Sequence, residues 1–197
     1  MSVDMRRRRF SRAEKKAYEI SNALFDVDFA VTPSMRRKVE DLARWLAAGD
    51  KNQVKAATQA VLDLLCEAAR LPATTLRLKD TAYAKFRNGR VAWKLYGTCD
   101  RDGTITVAFK TPVRRRPFAF RTYLNTVVHE FMHHYDHWKL KLSASFHTSG
   151  FYHRVRHLYA RLLEGIDAPP PGPWDVAGPA TAADPRQGVP ANGRIEA

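Results

Sequence analysis

The spacing of apolar residues predicts three helices in the N-terminal part of the chain. Ser11 and Glu14 have the pattern of a capping box, and apolar residues repeat at helical intervals after it. A second helix is expected over residues 32–49, between a Thr-Pro start signal and a glycine cap. A third is expected over residues 52–72, because a proline ends it.

Three short runs rich in β-branched and aromatic residues follow, over residues 75–78, 91–96 and 104–109. The last two are separated by the turn-forming Asp-Arg-Asp-Gly sequence of residues 100–103. Because strands joined by a short turn pair antiparallel, we expect a small, mostly antiparallel sheet.

The C-terminal part predicts two more helices and a tail. A basic loop over residues 110–117 holds three consecutive arginines between prolines, and a helix is expected after it. A last amphipathic helix is expected from about residue 150 to residue 163. Beyond Gly165 the sequence is rich in Pro, Ala and Gly and has little to bury, which predicts disorder.

The expected fold class is therefore α+β, in three parts. Residues 1–74 would form a basic arm, residues 6–9, and a helical segment. Residues 75–166 would form the domain that holds the sheet and the chemistry, and residues 167–197 the disordered tail.

The charge of the chain indicates an anionic partner. Lys and Arg number 33 against 20 Asp and Glu, a formal net charge of +13. Such a field attracts polyanions, so we expect contact with DNA or RNA through the basic surface. A surface that only keeps the protein in solution would give the same charge.

The cysteines and the apolar runs bear on the compartment. Cys66 and Cys99 lie far apart and lack CxxC spacing, so neither a disulfide framework nor a thiolate zinc ribbon is indicated. No apolar run has the length of a signal-peptide core or a membrane span. We expect a cytoplasmic protein without membrane contact, with association with the nucleoid left open.

The histidines carry the strongest chemical signal. All seven lie in residues 129–157, and the first 128 residues contain none. His129-Glu130-Phe131-Met132-His133 has the HExxH pattern. Residues i and i+4 share one face of a helix, so the two imidazoles can hold one Zn²⁺ ion while Glu130 takes a proton from the attacking water. Peptide-bond hydrolysis is the predicted reaction.

The helix that carries this pattern has an apolar stripe on another side, which leaves His129 and His133 free to face a cleft. The stripe consists of Leu124, Val127, Phe131, Tyr135, Trp138 and Leu142.

Catalytic zinc takes three protein ligands, so a third must be found. His134 turns towards the apolar stripe, and His137 lies too far along the helix axis. His153 and His157 lie opposite the buried stripe of the last helix, although His153 stays an alternative. His147, which precedes that helix, is assigned as the third ligand.

Three more side chains are candidates for supporting roles. Asp136 is close in angle to the two histidines, so it would either orient an imidazole by a hydrogen bond or be a surface carboxylate. Tyr152 and His153 would either donate to the oxyanion of the transition state or serve in ordinary packing.

From about residue 95 to residue 159 the sequence resembles the SprT-like (Spartan-type) zincin family, which includes peptidases that degrade protein crosslinked to DNA. The likeness rests on Gly-Thr-Cys at residues 97–99, Gly-Thr-Ile at residues 103–105, the segment 126–133, and His147 with a phenylalanine four positions on.

This resemblance implies a zincin-like core, a protein substrate and His147 as the third ligand. It also implies that residues 104–109 form an edge strand that binds an extended substrate. Thr148 stands where the family has a glycine, and the zinc ribbon of some members is absent.

Two other functions fit parts of the pattern. Residues 135–137, Tyr-Asp-His, resemble the YbeY-type RNA endonucleases, which are metal-dependent but lack the glutamate after the first histidine. A non-catalytic nucleic-acid-binding module would use residues 6–9 and 114–116 as phosphate contacts. The leading hypothesis is a zinc-dependent metallopeptidase that acts on proteins associated with nucleic acid.

Overall fold

Five helices and five strands form the described part of the computed structural model, which comprises residues 10–88 and 90–166. The predicted α+β class is confirmed. In chain order the elements are α1 (Arg12–Ala23), α2 (Pro33–Ala48), α3 (Lys51–Ala69), β1 (Thr75–Thr81), β2 (Tyr83–Arg87), β3 (Arg90–Leu95), β4 (Gly97–Cys99), β5 (Thr104–Lys110), α4 (Phe120–Trp138) and α5 (Ser149–Leu163).

The N-terminal helices begin and end close to the predicted positions, because their caps are local. Ser11 and Glu14 form both hydrogen bonds of the capping box of α1. The Thr32 side chain accepts from the backbone of the third residue of α2, and Gly49 ends that helix with φ of 70°.

The three-stranded sheet is mixed, which corrects the expectation of a mostly antiparallel sheet. β5 pairs antiparallel with β4 on one side and parallel with β1 on the other. Because β4 reaches β5 through a short turn and occupies one edge, β1 pairs along the opposite edge. β5 is therefore the central strand, and the expectation that residues 104–109 form an edge strand is wrong.

The remaining strands form a separate two-stranded ribbon. β2, which the sequence pattern misses, pairs antiparallel with β3. Most of its residues are exposed, so it lacks the buried alternating face by which strands are recognised. The run predicted over residues 91–96 corresponds to β3. β4 begins just after that run, is not predicted as a strand, and belongs to the other sheet.

Helix α4 lies at the centre of the core. Leu124, Val127 and Phe131 of the predicted stripe are fully buried, but Val128 and Met132 on another side are buried as well. The helix contacts β4 and β5 and also packs against α2, α3 and α5. It is therefore covered nearly all round, unlike the one-sided helix that the pattern predicts.

The N-terminal helices share this core. α2 and α3 pack on each other and on α4, and α1 and α2 contact α5. The core thus continues across the predicted boundary at residue 74. The predicted basic arm, residues 6–9, and the predicted disordered tail, residues 167–197, lie outside the described residues. None of the helices described here combines the length and the apolar character needed to cross a bilayer.

Candidate functional site

Helix α4 holds the two histidines of the HExxH pattern one turn apart, with ring centroids separated by 5.0 Å. His129 is buried and His133 is half-buried. The pair therefore lies at the border between the core and the surface, where the position of each ring is fixed by packing on one side.

His147 completes a group of three imidazoles. Its Nε2 atom lies 3.0 Å from Nε2 of His129 and 3.0 Å from Nε2 of His133. A tetrahedral zinc ion with bonds of about 2.0–2.1 Å separates its nitrogen ligands by about 3.3 Å. The donor atoms, which all lie within 4.8 Å of one another, therefore fit a single ion of this size. The structure brings together the three ligands predicted from the sequence.

Phe151 packs against all three imidazoles and is fully buried. Its ring centroid lies 5.1 Å from those of His129 and His147 and 4.7 Å from that of His133. Thr148, the N-cap of α5, accepts a hydrogen bond from the Phe151 backbone. This bond fixes the first turn of α5, from which the Phe151 ring projects. The phenylalanine forms an apolar wall that restricts rotation of the three rings.

Glu130, the predicted base, is buried against β4 and only 2% exposed. A Cβ atom at Gly97 would lie 2.8 Å from Glu130 Cγ and 2.9 Å from its Oε1. The absence of a side chain at Gly97 therefore leaves room for the carboxyl group beside the strand. Burial raises the pKa of the nearby Cys99 thiol, and the charge of Glu130 raises it further, so this thiol stays protonated.

A hydrogen-bond chain leads from His133 into the core. His133 Nδ1 lies 2.8 Å from the hydroxyl of Ser145, which donates to Asp136 Oδ2 over 2.8 Å. Asp136 is fully buried and pairs with the buried Arg154 at 2.7 Å. Burial raises the pKa of Asp136 to about 6, whereas Arg154 and Ser145 act to lower it. Asp136 is thus no surface carboxylate, and it reaches His133 through Ser145.

The other histidines lie outside the group of three. His134 is buried, with its Nε2 atom 3.0 Å from the Pro72 carbonyl oxygen, and burial lowers its pKa. His153, the alternative third ligand, packs instead against Phe25. The remaining two have partners elsewhere, Trp138 for His137 and Asp26 for His157.

Sequence reasoning misses three residues of this site. Ser145 lies in an irregular loop, where no periodicity marks it. Gly97 enters only as part of a family likeness, without a role. Arg154 carries a readable signal, because it falls on the buried stripe of α5, three residues after Phe151 and four before Leu158. A charged residue on an apolar face indicates a buried pair.

A second surface is set apart by its charge. The β2–β3 hairpin, residues 83–95, is called the basic ribbon, and it contains no acidic residue. It exposes the aromatic rings of Tyr83 and Phe86, which are 58% and 55% accessible. A groove of about 450 Å³ lies between the ribbon, the strands β1, β4 and β5, and the following loop. The basic residues of the ribbon are Lys85, Arg87, Arg90 and Lys94.

The chemistry open to the histidine group follows from its donor set. Three neutral imidazoles leave a tetrahedral ion with one position for water or substrate, and Glu130 follows the first of them in sequence. Such a combination suits metal-assisted hydrolysis. Comparisons of the chain with protein-family models, with curated proteins and with solved structures found no match.

Proposed function

We propose that this chain is a zinc-dependent metallopeptidase of the SprT-like type, with a zincin-like core. His129, His133 and His147 would hold the ion, and Glu130 would act as general base. The observation that carries the proposal is the convergence of three Nε2 atoms, because those of His129 and His133 each lie 3.0 Å from that of His147. Glu130, which is buried and directly follows His129 in the sequence, adds the proton acceptor that hydrolysis requires.

Zinc held by these three imidazoles would supply Lewis acidity, which lowers the pKa of water and polarises a carbonyl group. Glu130 takes the proton of the attacking water and delivers it to the leaving amine. Its buried position beside Gly97 keeps competing bulk water away from the carboxylate. Tyr152, whose ring centroid is 5.7 Å from that of His147, stays a candidate donor to the oxyanion.

Support for an extended protein substrate comes from β4. This short strand is at the edge of the three-stranded sheet, and its Gly97 contacts Glu130. An extended peptide can add to such an edge through backbone hydrogen bonds, which brings its carbonyl groups close to the strand's neighbours. We therefore assign to β4 the role of binding an extended substrate, which the resemblance implies for residues 104–109.

Support for substrates associated with nucleic acid comes from the basic ribbon and the loop after β5. Between residues 81 and 129 the only acidic residues are Asp100 and Asp102. The ribbon combines exposed cations with the exposed rings of Tyr83 and Phe86. Cations bind phosphates and aromatic rings stack on bases, so this surface is complementary to DNA or RNA.

The test is proteolysis of an unfolded protein such as casein by the zinc-loaded chain. We expect cleavage that a chelator abolishes and added zinc restores. Glu130→Gln should lower the rate by about 10²–10⁴-fold, because the proton acceptor is lost, while zinc binding is retained. Glu40→Gln, the same substitution on the exposed face of α2, should cleave like the parent.

Other outcomes would overturn the proposal in distinct ways. Cleavage by Glu130→Gln at the parent's rate would remove Glu130 as the base. Hydrolysis of RNA without hydrolysis of casein would favour a metal-dependent endonuclease. A parent chain that binds nucleic acid but no metal would favour a non-catalytic binding module.

A further inference from the structure

Arg154 is the largest fully buried side chain among the described residues. A buried guanidinium is unfavourable unless its donors are satisfied and its charge is paired. Nη1 donates to the carbonyl oxygens of Ser21 at 2.9 Å and Leu24 at 2.6 Å, and Nη2 donates to Ser21 Oγ at 3.0 Å. The same Nη2 donates to Asp136 Oδ1 at 2.7 Å. One side chain thus joins the C-terminal end of α1 to helix α4.

The chain of hydrogen bonds continues from Asp136 to the candidate metal ligands. Ser145 has one hydroxyl proton, which it donates to Asp136. Its oxygen must therefore accept from His133 Nδ1, 2.8 Å away, so Nδ1 carries the proton of this ring. That tautomer leaves the lone pair on Nε2, the atom that faces His147. The hydrogen bonds thus select the form of His133 that can bind a metal.

Helix α1 reaches the third histidine by a second route. Ser21 Oγ lies 3.0 Å from Thr148 Oγ1, and Thr148 directly follows His147. Phe146, directly before it, packs against Phe10 and Tyr18, with ring centroids 5.2 and 6.0 Å apart. Both neighbours of His147 in the sequence are therefore in contact with α1 or the residue that precedes its cap.

The contact between α1 and α5 leaves no room for adjustment. A Cβ atom at Gly150 would lie 2.1 Å from the Ser21 carbonyl oxygen and 2.6 Å from that of Leu24. The two carbonyl groups that accept from Arg154 therefore rest directly on the backbone of α5. Because such close packing leaves no space to absorb a movement, a displacement of α1 would shift the start of α5, where the loop that carries His147 ends.

We propose that α1 is a positioning element of the metal centre, which acts on His133 through Arg154, Asp136 and Ser145 and on His147 through Thr148 and Phe146. The proposal rests on the metal-binding part of the proposed function and not on its peptidase part. It assigns a role in the site to a helix far from the HExxH pattern in sequence. Release of α1 is expected to weaken zinc binding, and zinc binding is expected to hold α1 in place.

The first test is the zinc dissociation constant of Ser145→Ala, measured by competition with a chromophoric chelator. This substitution breaks the chain next to His133 and leaves Arg154 paired with Asp136 and α1. The constant should rise about 10–100-fold, the usual effect of removing a partner of a metal-bound imidazole. Ser143→Ala, which removes an exposed hydroxyl from the same loop, should bind zinc like the parent.

The second test measures the effect of zinc binding on α1, by hydrogen exchange of backbone amides. Zinc should slow exchange in residues 19–23 of α1 in the parent, and the slowing should be smaller in Ser145→Ala. Arg154→Lys keeps the charge but not the forked set of donors, so it should weaken zinc binding about tenfold if it folds. The Ser145→Ala result stands even if Arg154→Lys does not fold.

The outcomes separate this proposal from the proposed function. If the parent binds no zinc, both the proposed function and the positioning role of α1 are contradicted. If the parent binds zinc but Ser145→Ala and Ser143→Ala have equal dissociation constants, the route through Arg154, Asp136 and Ser145 is contradicted while the proposed function stands. Equal exchange in residues 19–23 with and without zinc would show that α1 only stabilises the fold.

Discussion

The three-histidine group and the basic ribbon differ in how they are attached to the core. His129 and Glu130 are buried, and the hydrogen bonds from His133 lead through Ser145 to the fully buried ion pair of Asp136 and Arg154. The ribbon is a separate two-stranded sheet with mostly exposed side chains. The proposed metal chemistry and the proposed attraction to polyanions are therefore assigned to different parts of the molecule, so a substitution in one part should leave the other intact.

The largest expected difference is in stability, measured with a matched pair of substitutions. Phe131 of α4 is fully buried, whereas Phe86 of the ribbon is 55% exposed. Phe131→Ala should lower the free energy of unfolding by about 3–5 kcal/mol, because it leaves a cavity in the core. Phe86→Ala should change it by no more than about 0.5 kcal/mol. Urea denaturation measures both, and equal decreases would contradict the comparison.

A smaller effect is expected in binding to a polyanion. Lys85→Gln combined with Arg87→Gln removes two exposed cations from the ribbon. The slope of log affinity against log salt for single-stranded DNA should decrease in magnitude by about 0.7 for each phosphate that the ribbon no longer binds. Zinc affinity should not change. Arg37→Gln with Lys55→Gln, which removes two exposed cations from α2 and α3, serves as the control. An equal decrease in the control would show that net charge, not the ribbon, governs binding.

The sequence predicts those parts of the molecule that depend on local interactions. Caps such as Ser11 and Gly49 act within a few residues, so the ends of α1 and α2 are predictable. The HExxH pattern places two imidazoles together for the same reason. His147 lies close to them, as predicted. Spacing alone does not identify it, because the prediction also depends on setting the other histidines aside and on the family resemblance.

Features that depend on distant parts of the chain could not be predicted. β1 pairs parallel with β5, with residues 75 and 104 in register although they are far apart in the chain, and no local pattern records such a pairing. Ser145 belongs to the site only because the folded loop lies between His133 and Asp136. A side chain that joins a site through a loop, as Ser145 does, can be identified only once the three-dimensional structure is known.

The zinc content of the purified chain after removal of free metal, determined by elemental analysis, tests the metal centre most directly. We expect about one zinc ion per chain for the parent and for His157→Ala, whose histidine lies outside the group. We expect well under half of that content for His147→Ala. A parent without metal, or a His147→Ala variant that holds zinc like His157→Ala, would contradict the claim that these three histidines form the metal centre.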